Sequence, residues 1–127
     1  MSLTAPFPSA APQPDAVLTK AVVRASETLG VSARGLASVL GVSETTVSRM
    51  KSGDYRLRAG RKEFELAVLF VRLFRSLDAI VGGDEGAARA WLANPNVALG
   101  DRPADKIRTI AGLADVIAYL DARRALV

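Results

Sequence analysis

Residues 36–50 read LASVLGVSETTVSRM, and this stretch restricts the fold more than any other part of the chain. Apolar residues recur at helical spacing on either side of one glycine: Leu36 and Leu40 before Gly41, then Val42, Val47 and Met50 after it. Two short helices meeting at a sharp angle need facing apolar residues, a small residue where they touch and a glycine where the chain reverses. Ala37 supplies the small residue, and Gly41 can take the left-handed conformation that ends the first helix. Ser43 is placed to cap the second helix, accepting a hydrogen bond from a backbone amide near Thr45 or Thr46. The spacing therefore predicts a helix-turn-helix whose second helix runs from Ser43 to about Ser52 and stops at Gly53. Glu44, Thr45, Ser48 and Arg49 are left facing outward, short and polar with one guanidinium, as suits a surface that enters a nucleic-acid groove. The alternative is a small helical hairpin whose spacing arose by chance.

Charge favours the groove. The chain has 127 residues and a formal net charge of +4, and the excess is uneven: residues 1–82 hold 11 Lys and Arg against 7 Asp and Glu, whereas residues 83–127 hold 6 against 6. Between Arg49 and Lys62, Arg49, Lys51, Arg56, Arg58, Arg61 and Lys62 are opposed only by Asp54. Such a cluster beside a recognition helix neutralises phosphates and releases counterions, an attraction that depends on salt and not on sequence. The candidate DNA-binding residues are Ser43, Glu44, Thr45, Thr46, Ser48, Arg49, Lys51, Arg56 and Arg58. Thr45, Thr46, Ser48 and Arg49 are expected near base edges, with Lys51, Arg56 and Arg58 on the backbone. Arg49 alone on that face can make the bidentate contact to guanine, so one copy should read sequence weakly and a dimer on half-sites about one helical turn apart is expected.

Cysteine and histidine are both absent. That removes disulfides, the common zinc and iron ligand sets, thiol nucleophiles and the usual proton shuttle near neutral pH. A chain of this length holds one compact domain or two very small ones, with little room for a large catalytic cleft. A cytosolic protein with no metal, no cofactor and no catalysis is the expectation. The first residues, MSLTAPFPSAAPQP, lack the basic start and continuous apolar core of a secretory signal, and residues 1–14 are read as a disordered leader rich in Pro, Ala and Ser.

From Asp15, read as an N-cap, a first helix is expected with Ala16, Val17, Ala21, Val22 and Leu29 on its apolar face and Gly30 closing it. Ser32 is placed to cap the first helix of the reading pair. Residues 61–81 are the most apolar segment, but Glu65, Arg72, Arg75 and Asp78 share one face in the middle, where a bilayer would make them costly. A soluble helix buried on more than one side is expected, central to the molecule, with an interface to another chain as the alternative. Gly82 and Gly83 break the pattern. Asp84 then caps a short helix ended by Asn94 and Pro95, Asp101 is read as the cap of another running through Ile107, and a last helix is expected after Gly112 with Leu113, Val116, Ile117 and Leu120 at core spacing. No strand-like alternation occurs, so the fold class is all-α: an N-terminal helix-turn-helix bundle joined by a long apolar helix to a small C-terminal helical domain.

The C-terminal run WLANPNVALG from Trp91 to Gly100, followed by Pro103, Ile107, Thr109, Gly112, Val116 and Leu120, resembles the toxin-binding domain of the Xre/MbcA/ParS antitoxins. The helix-turn-helix upstream looks like the Xre type, so the resemblance extends from about residue 15 to 127 with the domains in family order. It implies an Xre-like DNA-binding domain over 15–82 and a toxin-binding domain over 83–127. It also implies an antitoxin that binds a cognate RES-domain toxin, an enzyme that consumes NAD, shields its NAD site largely with the C-terminal domain, and represses the shared operon by binding operator DNA. The assembly would be a homodimer or a toxin-bridged hetero-oligomer; the alternative reading is a stand-alone transcriptional repressor whose C-terminal helices only dimerise. Arg123, Arg124 and Val127 are the toxin-binding candidates by position. Trp91 is read as a core anchor, with a binding hot spot as the alternative, and Arg123 and Arg124 equally suit the dipole of a helix C-terminus.

Overall fold

The computed structural model describes residues 13–126, which form seven helices and no strand. These are α1 (Pro14–Thr28), α2 (Ala33–Leu40), α3 (Glu44–Ser52), α4 (Lys62–Ile80), α5 (Glu85–Ala93), α6 (Pro103–Lys106) and α7 (Ile110–Arg124). The all-helical expectation holds; residues 1–12 of the expected leader and Val127 lie outside the described residues.

Helix α1 differs from the sequence reading at its start and in its buried face. Pro14 occupies the first helical position, where its fixed φ suits a helix and its missing amide proton is no loss, and Gln13 is the N-cap. Asp15 thereby falls two residues past the cap position. Its Oδ1 instead accepts from the Ala59 amide at 3.2 Å. The buried stripe is Thr19, Val22, Ala25 and Ser26, and Val17 is 50% exposed. Two hydroxyls can lie in this face because both bond to backbone carbonyls, Thr19 Oγ1 to Asp15 at 2.7 Å and Ser26 Oγ to Val23 at 2.7 Å.

The helix-turn-helix forms as its spacing predicts. Ser32 Oγ accepts from the Gly35 amide and Ser43 Oγ from the Thr46 amide, each at 3.0 Å, which satisfies one orphan donor at each N-terminus. Gly41 sits at φ +72°, and its amide and that of Val42 both donate to the Ala37 carbonyl. Leu36, Leu40, Val47 and Met50 are buried with Ala37, while Val42 is half-buried.

Helix α4 is the central element: α1 and α2 pack on it from the N-terminal half, α5 and α7 from the other. Most of its wide apolar surface is covered within one chain, with Leu66, Ala67, Phe70, Val71, Leu73, Ser76 and Leu77 buried, while Val68 stays 45% exposed. One continuous core results, from Val22 through Phe70 to Leu120. Burying each large aliphatic side chain stabilises it by about 1.5–3 kcal/mol.

Asp84 Oδ1 caps α5 through the Ala87 amide at 3.0 Å, and the helix ends at Asn94 as expected. Two expectations further on are corrected. Asp101 does not cap α6: Arg102 is the N-cap, and α6 is a single turn. The Asp101 backbone is engaged across the loop, its carbonyl accepting from the Asn96 amide at 3.1 Å. Helix α7 begins at Ile110 rather than after Gly112, because Thr109 Oγ1 caps it through the Gly112 amide at 3.0 Å. Gly112 thus lies in the first turn and serves a close approach: a Cβ there would sit 1.9 Å from the Lys106 carbonyl oxygen.

Candidate functional site

Buried Val47 and Met50 anchor α3 and set which residues face out: Glu44, Thr45, Ser48 and Arg49 are exposed. Thr46 is half-buried, its hydroxyl 3.0 Å from that of Ser43, so these two side chains serve the cap. Arg49 lies at the C-terminal end of the helix and folds back, donating to the Asp54 carbonyl at 3.3 Å with its guanidinium carbon 5.9 Å from the Tyr55 ring centre. Both contacts are exposed and weak, so the side chain can exchange them for a stronger acceptor.

The basic loop after α3 is built rather than slack. Leu57 is fully buried, and its amide donates to Thr19 Oγ1 at 2.9 Å. The Ala59–Asp15 bond lies two residues on. With Leu57 inward, Arg56 and Arg58 on either side are exposed, as is Lys51. Sequence reasoning named the arginines but missed what holds them, Thr19, Asp15 and Leu57. A lone leucine between two arginines was the local sign of an anchor.

The second cluster surrounds the end of α7. Trp91, half-buried, stacks on Tyr119 with ring centres 6.1 Å apart and planes at 22°. Arg123 lies over the other partner of that stack, 5.7 Å from the Tyr119 ring centre, and donates to its hydroxyl at 3.3 Å. Asp121 accepts from Arg72 and, at 3.2 Å, from Ser76 Oγ, whose oxygen also lies 3.5 Å from Arg124 Nη1. Buried Ser76 thus joins half-buried Asp121 and exposed Arg124 of α7 to α4. Val127 falls outside the described residues. Tyr119, Ser76 and Asp121 were not singled out from sequence.

No group of three or more acidic, histidine or cysteine side chains converges to hold a metal among the described residues, and no helix there is long and apolar enough to cross a membrane.

Two family models match the chain in series. Residues 8–72 match the antitoxin Xre-like helix-turn-helix domain, and residues 76–125 match the antitoxin Xre/MbcA/ParS C-terminal toxin-binding domain. The chain belongs to the Xre/MbcA/ParS-type antitoxins. Its fold is similar to a chain in the crystal structure of the M. tuberculosis MbcT–MbcA toxin–antitoxin complex, with a TM-score of 0.65 and 24% identity, covering 87% of this antitoxin and 96% of that chain. No curated protein matches it in sequence. The two family models meet inside α4, the helix that both halves of this antitoxin pack against.

Proposed function

We propose that this antitoxin neutralises a RES-domain toxin by shielding its NAD site, and represses the operon the two share by inserting α3 into the major groove of operator DNA. It acts by binding alone, without cofactor or catalysis, in the cytoplasm. On this reading residues 15–82 form the DNA-binding part and residues 83–127 the toxin-binding part.

The observation that carries the DNA half is the state of its charge. All three ion pairs among the described residues lie between Arg72 and Asp121, and none engages any basic residue from Lys20 to Lys62. Around the outward face of α3 the basic residues up to Lys62 are thus free of ion pairs among the described residues, as suits phosphate binding. Glu44, Thr45 and Ser48 lie in the N-terminal part of the recognition helix, where base contacts are made in this motif. Arg49 reaches guanine by leaving Tyr55, and Lys51, Arg56 and Arg58 hold the backbone.

The toxin half rests on the surface around Trp91, Tyr119 and Arg123. Aromatic residues and arginine dominate interface energetics because they bury large rigid area and keep a polar tip. Arg124 and Val127 are the further toxin-binding candidates, by their position in the sequence alone.

Growth during co-expression tests the toxin half: cells making the neighbouring RES-domain toxin should survive only with the antitoxin present. Continued growth arrest with both proteins made would refute it. Retarded migration of the upstream DNA by the purified chain tests the other half, and migration unchanged at low salt would refute that.

A further inference from the structure

A groove of about 450 Å3 runs between α1 and the end of α3 with its following loop. Lys20 and Arg24 border it from α1; Lys51 and Arg56 border it from the far side, with Tyr55 between them. Glu27 is its lone carboxylate. All four cations are exposed, and none is in an ion pair among the described residues. Lys20 and Arg24 lie four apart on one helix, so they stand side by side on the same face. Glu27, three residues beyond Arg24 on that face, offsets only part of their mutual repulsion.

Helix α3 is buried through Val47 and Met50, and Lys51 stands at the edge between that buried side and the outward face. A helix in the major groove is flanked by the sugar–phosphate strands that border the groove. We propose that this groove seats one strand of the DNA backbone, with Lys20 and Arg24 of α1 gripping phosphates opposite Lys51 and Arg56. The occupant follows from charge: four exposed cations against one carboxylate around the groove match a polyanion. The first helix therefore belongs to the DNA footprint, extending it beyond the helix-turn-helix and its loop. This rests on the DNA-binding reading above.

Each neutralised phosphate contributes about 0.9 to the slope of log affinity against log salt on duplex DNA. The test measures that slope for the full chain on a mixed-sequence 30-bp duplex, by fluorescence anisotropy between about 50 and 200 mM salt. The double variant Lys20→Gln with Arg24→Gln should flatten the slope by roughly 1.8, one phosphate for each cation. Glu27→Gln should bind more tightly than the wild type. Arg102→Gln, which removes an exposed cation paired with Asp105, should leave the slope unchanged. Unchanged melting temperatures separate these effects from unfolding. A double variant with the wild-type slope, while Arg58→Gln flattens it, would overturn the proposal and leave DNA binding standing. A wild-type chain that binds no duplex at any salt would overturn the DNA-binding reading itself.

Discussion

Replacing Thr19 by valine tests whether the basic loop is held by α1. Thr19 is 5% exposed, and its hydroxyl does two things at once: it donates to the Asp15 carbonyl at 2.7 Å and accepts from the Leu57 amide at 2.9 Å. Valine keeps the shape and removes both bonds. The Asp15 carbonyl sits in the first turn near solvent and loses little. The Leu57 amide is left buried without a partner, which costs about 1–3 kcal/mol. Unfolding entropy of roughly 2.1 cal/mol/K per residue makes that a fall of about 4–11 °C in Tm for a chain of 127 residues. Thermal denaturation followed by circular dichroism measures it, with Thr19→Ser as the control that keeps the hydroxyl. Because Leu57 leads directly into Arg58, Thr19→Val should also weaken DNA binding while leaving the outward residues of α3 intact. A valine variant as stable as wild type, within about 0.3 kcal/mol, would refute the view that this bond fixes the loop.

Arg49→Ala should relax discrimination between operator and unrelated DNA, whereas Arg58→Ala should weaken both alike and flatten the salt dependence by about 0.9; competition titrations at several salt concentrations distinguish the two. Gly112→Ala should destabilise the chain by at least about 1–3 kcal/mol, since its methyl meets the Lys106 backbone and not a side chain that can swing away; urea titration reads this out. Trp91→Ala and Arg123→Ala should each lower affinity for the toxin by more than about 1 kcal/mol in calorimetric titration while leaving DNA binding as in wild type.

The helix-turn-helix was legible because everything that specifies it is local. Leu36 to Met50 repeat at helical spacing, and Ser43 and Gly41 act within three or four residues of themselves. The long apolar helix was legible from its composition, and so was its central place. What escaped depends on partners far along the chain. Thr19 meets Leu57 across 38 residues, Asp121 meets Ser76 across 45, and Arg89 donates to the Thr28 carbonyl at 2.8 Å across 61. None of these leaves a periodic mark. Thr19 and Ser26 also interrupt the apolar stripe of α1, so apolar spacing alone points its buried face through Val17. The last helix is expected only after Gly112 because a glycine outside a helix and one that admits a neighbouring carbonyl within its first turn look the same in sequence. In the candidate site, the cations of the loop after α3 were visible as charge, while Lys20 and Arg24 were hidden in a helix whose neighbour only the fold supplies.

The central claim, that this chain silences an NAD-consuming enzyme by covering its site, is tested most directly by following NAD with the purified toxin as antitoxin is added. Consumption should fall to background once antitoxin matches toxin in amount, and the Trp91→Ala and Arg123→Ala variants should need an excess. Undiminished NAD loss with saturating wild-type antitoxin bound to the toxin would contradict the account.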